Sequence, residues 1–409
     1  MKKLIFLIAL ISLVSLVNAQ TAYIANQLDS TVTVIDVTSN TVTTTIKVGV
    51  YPYDVSVSSD GSKVYVGNFG DSTVSVINTA TNTVTATINV GRMPGGISVS
   101  HDGSKVYVAN NNGGTVSVIS TATNTVTATI AGFSNPYGIC VSPDGSRVYV
   151  ANVNGSTISV INTATNAIIN TIAFNTPQCI SHSPDGSKIY VTSWADYRVY
   201  VISTATNTVS DTIAIGTNPE GVSVSPDGSK VYVTDEMTNN ISVISTATNT
   251  VIDTIAVGKW PEGVSVSPDG SKVYVANSGS NTVSVINTAE NSVMATIPVG
   301  KSPFSLGNFI SIYPSHLGID SPDIISADIE VYPNPVTDYL TIESPQGEVG
   351  SGNKQQAVIE ITNIQGQLIK TFTSTGNKTN IDVSAFVKGV YIVRIRTNSG
   401  IFNKKVIIE

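Results

Sequence analysis

Short runs in which apolar and polar residues alternate with a period of two fill the chain from about residue 20 to 313. Around Asp269 they read GVSVS, KVYVAN, NTVSVI and NSVMATIPV, and they are parted by Pro-Asp-Gly or by polar, Asn- and Thr-rich segments. Valine, isoleucine and threonine favour extended backbone, whereas proline presets φ and glycine accepts φ > 0. The pattern therefore predicts four strands, A to D, joined by tight turns. Apolar positions fall on both faces of these strands, so each sheet must be covered on both sides.

The unit repeats. Turn aspartates stand at Asp60, Asp102, Asp144, Asp185, Asp227 and Asp269, spaced by 42, 42, 41, 42 and 42 residues. Counting the tyrosine of strand B instead gives seven copies, at Tyr23, Tyr65, Tyr107, Tyr149, Tyr190, Tyr232 and Tyr274. The first copy lacks a strand A, and Pro303, 42 residues after Pro261, opens a spare one in PFSLGNFISI. The expected fold is all-β, a seven-bladed propeller whose ring closes by pairing strands B, C and D of residues 21 to about 49 with a strand A at about 303 to 312. Closure hides strand edges that would otherwise pair with other chains.

The recurrence of SPDGSKVYVAN, TVSVINTATNTV and VGxxPxG in register resembles the YVTN-repeat β-propellers of prokaryotic surface and secreted proteins, over about residues 21 to 313. The literal YVTN string is absent, and the nearest forms begin at Tyr190, Tyr232 and Tyr274. The resemblance implies an extracellular protein and says little about activity.

After Tyr313 the period stops, and residues 314–327 read as a polar linker. Alternating segments from Val331, Val358 and Ile381 and the ending KKVIIE predict a small antiparallel β-sandwich over 328–409, with a loop around Gly350, Ser351 and Gly352. Pro333-Asn334-Pro335, Gly366, Gly389 with Tyr391, and Lys404-Lys405 resemble the type A C-terminal sorting domain of the type IX secretion system of Bacteroidetes. That resemblance implies the secretion machinery as a partner and export across the outer membrane. At the other end Lys2 and Lys3, the apolar run Leu4 to Val17 and the small residues before Gln20 read as a signal peptide, residues 1–19, cleaved after Ala19. The run is shorter than the ~20 residues that span a bilayer, and no later stretch is apolar enough, so the mature chain should have no transmembrane span.

Charged residues make up only 12% of the chain and the net charge is -7, so the basic face that nucleic acid requires is missing. Cys140 and Cys179 lie four and six residues before the turn aspartates of consecutive repeats. Facing alike, they would not meet across one blade interface, and they are read as two free buried thiols or one disulfide. His101, His182 and His316 are too scattered for a metal centre, and the many serines read as repeat filler.

Seven copies can be compared within the one chain. The A-to-B and C-to-D turns share one end of the ring and are nearly identical, whereas the B-to-C and D-to-A loops share the other end and vary, so any specific function is expected there. The residue after the repeated proline is Tyr53, Gly95, Tyr137, Gln178, Glu220, Glu262 and Phe304 in turn. Nearby loops add Tyr51, Arg92, Phe133 and Trp260, together with Phe69, Asp71, Trp194, Asp196, Asp235 and Glu236. Aromatic faces beside carboxylates suit a glycan, a peptide or a cation at a channel rim. No cofactor is expected, although Glu220 and Glu262 could hold Ca²⁺ with backbone oxygens. The leading function is an exported binding or adhesion scaffold. The alternatives are a metal-assisted hydrolase resembling lactonase propellers and a structural component of an extracellular layer.

Overall fold

The computed structural model describes residues 20–311, 330–343, 357–363, 368–374, 378–397 and 400–408. The leader 1–19, the linker 314–327 with His316, the loop around Gly350 to Gly352, and Gly366 lie outside the described residues. The chain divides into two compact units, Met1–Leu317 and Gly318–Glu409.

The first unit is a closed ring of seven sheets with strand order A-B-C-D. Blade II shows the pattern: Pro52–Val57, Lys63–Asn68, Thr73–Asn78 and Thr83–Asn89. Blades III to VII repeat it over 94–131, 136–173, 177–214, 219–256 and 261–298. Blade I takes strands B, C and D from Thr21–Asn26, Thr31–Asp36 and Thr41–Lys47, and its strand A from Pro303–Phe304 and Ile310–Ser311, which pair antiparallel with Thr21–Asn26. The composite blade expected from the sequence is thus present, but its strand A is interrupted over 305–309.

The A-to-B turn explains its own repetition. Ser58 Oγ donates to Asp60 Oδ1 at 2.6 Å, Asp60 accepts from the Ser62 backbone and hydroxyl, and Gly61 takes φ 70°. These bonds hold the Asp60 carboxyl below its usual range against the opposing effect of burial. Thr79 Oγ1 donates to Gly61 O at 2.7 Å, and Lys63 Nζ reaches Thr121 O of the next blade at 2.8 Å. Strand-B tyrosines fill every interface between blades, and all seven are fully or almost fully buried.

Where strands A crowd together, the third residue from the proline is glycine in four blades. A Cβ at Gly96 or Gly138 would meet the next blade's carbonyl oxygen at 2.2 Å, and at Gly263 it would sit 1.7 Å from Ser305 O.

In the second unit Glu330–Tyr332, Tyr339–Glu343 and Lys378–Asp382 form one sheet. Leu368–Ser374, Ala357–Asn363, Gly389–Thr397 and Gly400–Ile408 form the other, in that order. Leu340, Ile342, Ile359, Ile381, Val393 and Val406 belong to the core between them. The Pro333-Asn334-Pro335 turn is tied to the last strand, because Ile407 N donates to Asn334 Oδ1 at 2.9 Å and Val336 N to Ile407 O at 2.8 Å. Tyr391 is buried and its hydroxyl donates to Val387 O at 2.6 Å, whereas Lys404 is exposed.

Candidate functional site

Strands A line the channel, and the residue after each proline lies at its loop end. These side chains form a plug. The Tyr53 and Tyr137 hydroxyls lie 2.9 Å apart, and Tyr137 donates to Glu220 Oε1 at 2.8 Å, so one hydrogen-bonded chain links blades II, IV and VI. Gly95 in blade III permits this, since it puts no side chain between the two tyrosines. Phe304 packs on the Tyr53 ring at 4.3 Å between centroids and Phe69 stacks on it at 5.1 Å. Tyr137, Gln178, Glu220 and Phe304 are buried, while Tyr53 and Glu262 are half-buried. The positions read from sequence as an open rim are mostly interior.

The plug holds carboxylates without cations. Burial pushes Glu220 up to about 7, with Glu236 adding repulsion, and pushes Glu262 up to about 9, with Glu220 and Glu236 adding theirs. Ser278 Oγ donates to Glu262 Oε1 at 3.2 Å, and no basic side chain of the described residues pairs with either glutamate. Asp235 stands where five other blades have a buried asparagine, and burial raises it to about 6. Among the described residues no group of three or more His, Cys, Asp or Glu side chains is arranged to hold a metal ion.

Beneath the plug lies a residue that sequence reasoning missed. Asp54 replaces the glycine of that position, is buried, and accepts backbone N–H bonds from Val55 and Ile97 and, at 2.7 and 2.6 Å, from Leu306 and Gly307. It clasps blades II and III to the closing segment of blade I. Burial raises its carboxyl to about 6 even though all four bonds pull the other way. Gly307 fits because a Cβ there would lie 2.7 Å from Val55 O. The signal was available as the one acid at a position that is glycine in four copies.

The serines are not filler. Ser56, Ser98, Ser181 and Ser223 accept the N–H of Val99, Val141, Val224 and Val266 in the next blade at 3.2 to 3.3 Å. In blade IV Cys140 takes this place and accepts the His182 N–H. This girdle joins strands A that share no backbone ladder. Cys140 and Cys179 are buried free thiols, and burial raises the Cys140 thiol to about 12. The histidines are not scattered either: His101 and His182 line one cavity of about 500 Å³ below the plug, together with Cys140.

The exposed aromatic residues of the propeller lie in the loops. Trp194 (45% exposed), Tyr197 (48%) and Trp260 (56%) belong to blades V to VII with Met237, and Tyr51 and Arg92 are exposed elsewhere on the same end. Tyr51, Tyr197 and Trp260 adopt φ of 53 to 55°, where most equivalent loop positions carry Asn, Ser or Gly. The loop acids divide. Asp71 accepts from Val50 N, and Asp196 accepts from Asn175 and Tyr200, so both brace loops. Glu236 is half-buried beside the plug glutamates.

A ring of seven four-stranded blades, plugged at one end and followed by a small sandwich, defines a β-propeller with a separate C-terminal domain. The chain carries a YNCE-like beta-propeller, matched over 54–156 and 223–310, and a secretion system C-terminal sorting domain, matched over 330–409. That sorting domain directs the protein to secretion or the cell surface through the type IX machinery. No helix of the described residues is long and apolar enough to cross a membrane. The fold is similar to that of a Kuenenia stuttgartiensis hydrazine synthase chain, at 24% identity and TM-score 0.62, covering 66% of this chain and 92% of that one. It is also similar to a functionally unknown protein of Desulfotomaculum acetoxidans, at 16% and 0.63, covering 72% and 99%. A putative 6-phosphogluconolactonase of Bacteroides uniformis is similar at 17% and 0.60, covering 70% and 98%. No curated protein matches the chain significantly.

Proposed function

We propose that this chain is an exported glycan-binding module whose contact surface is the loop end of blades V to VII. The observation that carries this reading is the placement of Tyr197 and Trp260 in the left-handed region while their side chains stay in solvent. A bulky residue there costs on the order of 1–2 kcal/mol, and an exposed ring regains little of that by packing. At Trp260's position blades IV and VI use Asn135 and Asn218. Flat aromatic faces stack on sugar rings, and the half-buried Glu262 and Glu236 can accept hydroxyl groups beside them.

Sedimentation with insoluble polysaccharides tests the surface. Trp194→Ala and Trp260→Ala should each weaken retention at least tenfold while leaving the melting curve in place. Retention unchanged in both variants would remove the site.

Trp260→Asn separates function from stability. Relief of the strained backbone should stabilise the propeller by about 1 kcal/mol, a rise of about 2 °C in midpoint, while polysaccharide retention is lost. A lower midpoint with retained binding would contradict both halves of the argument.

Export supports the same reading, since a rim of exposed aromatics is useful only where it meets extracellular material. A chain lacking 330–409 should accumulate folded in the periplasm, followed by fractionation and immunoblotting. Equal amounts of this shortened chain and the full chain in the medium would overturn the route.

A further inference from the structure

Below the plug the channel forms a cup of about 500 Å³, walled by strands A and by the turns that follow them, at the end opposite the exposed aromatics. Its volume is that of a small-molecule site. Three features of the wall define what it could hold.

The wall carries no basic aliphatic or guanidinium group. Asp54 at the floor is its single carboxylate and no lysine or arginine lines it. Both Asp54 oxygens are occupied, Oδ1 by Val55, Leu306 and Gly307 and Oδ2 by Ile97. An anion would enter with no lysine or arginine to meet it and would lose much of its hydration, which is costly.

The wall offers donors and an acceptor. Ser56, Ser98, Ser181 and Ser223 spend a lone pair on the next blade's N–H and keep their hydroxyl protons for the cup. His182 Nδ1 lies 3.2 Å from Ser183 O, which places the proton on Nδ1 and leaves the Nε2 lone pair as an acceptor. Burial, with His101 nearby, pulls His182 below its usual range, so the imidazole is neutral at neutral pH.

The wall is also lopsided. Blades VI and VII both read VSVSPDG and present Val224, Pro226, Val266 and Pro268. In blades III to V the same register carries His101 for proline, Cys140 for serine and His182 for valine. The departures from the repeat, His101, Cys140 and His182, thus gather on one side of the cup, although a purely structural repeat has no need to differ here.

We propose that this cup is a binding site for an uncharged ring compound bearing hydroxyl groups. Its hydroxyl and carbonyl or ether oxygens meet the serines and His182, and its apolar face lies on the valines and prolines of blades VI and VII. The site is independent of the aromatic loops at the other end.

The full chain is titrated with 4-methylumbelliferone at pH 6, where this probe is uncharged, and binding is read by fluorescence anisotropy. Saturable one-to-one binding is expected. Val224→Trp and Val99→Trp, which fill the cup from opposite walls, should each weaken it at least tenfold, with circular dichroism confirming that at least one is folded. Trp260→Ala should leave the affinity unchanged, and 4-methylumbelliferyl phosphate should bind at least tenfold more weakly than the neutral probe. Three results would overturn the proposal: no saturable binding, unchanged affinity in a folded filled variant, or equal affinity for the phosphate.

Discussion

Asp54→Gly is expected to lower the thermal midpoint of the propeller by about 10 °C, even though it restores the residue that four other blades carry at that position. The carboxylate accepts four backbone N–H groups, two of them from the interrupted strand A that closes the ring. A glycine would leave the Leu306, Gly307 and Ile97 donors without it in a buried setting. Each orphaned donor costs ~1–3 kcal/mol, and a total of about 4 kcal/mol moves the midpoint of a domain this large by roughly 10 °C. Replacement by the repeat's usual residue normally stabilises a protein. Here the regular copy of strand A is the one that cannot be restored, because residues 305–309 leave the ladder and need a partner. Circular dichroism melts of the two proteins decide the matter, and a shift under 2 °C would show that the clasp is incidental. Closure fails locally before the blades melt, so limited proteolysis should also cut the variant first near residues 300–311.

The propeller should become less stable as pH rises from about 5 to 9. Glu220 and Glu262, at about 7 and 9, and Asp54 and Asp235, both at about 6, hold protons more tightly folded than unfolded. Stability from such groups is fully present below the unfolded carboxyl range and is lost as pH climbs through the folded values. The turn aspartates act oppositely. Asp144 and Asp185, both at about 2 through their serine hydrogen bonds, contribute stability above the unfolded range that is lost as pH falls toward 2. The maximum therefore lies near pH 4 to 5, which is acidic for a folded domain. Glu262→Gln removes the charge with the largest penalty. It should raise stability at pH 8 by on the order of 2 kcal/mol and change it little at pH 5. Urea midpoints across the range test this, and a flat profile from 5 to 9 in the parent chain would refute it.

Much of the fold was legible because it is written seven times. A single pattern of strand and turn residues is ambiguous, but regular spacing with one strand left over at each end admits few architectures, and pairing the ends is the one that leaves no open edge. Comparison among copies also located the variable loops, where Trp194, Tyr197 and Trp260 are exposed. Tyr197 escaped notice, since nothing in a sequence shows that a tyrosine sits at positive φ.

The candidate site was legible only in part. Tyr53, Tyr137 and Glu220 stood out in the sequence as departures from the repeat. Their assignment to an open rim did not anticipate that Gly95 would let two of them meet and that a third would cap the chain. The serines were discounted because they recur, yet recurrence is what a girdle joining the strands A of successive blades requires. The histidines were judged far apart by counting residues, although the ring returns blades III and V to one cavity.

What the sequence by itself determined is the set of properties that act within a repeat: strand period, turn chemistry, blade number and the route of closure. The first three depend on residues close together along the chain and are reinforced in every copy, and the route of closure follows from the strand left over at each end. The tertiary structure alone decided which end of the channel is blocked, that Asp54 holds the closure, and that a cup with two histidines on one side lies beneath the plug. Those depend on side chains about 40 to 250 residues apart meeting at the axis, where seven strands converge and a single missing side chain, as at Gly95, changes which neighbours can touch.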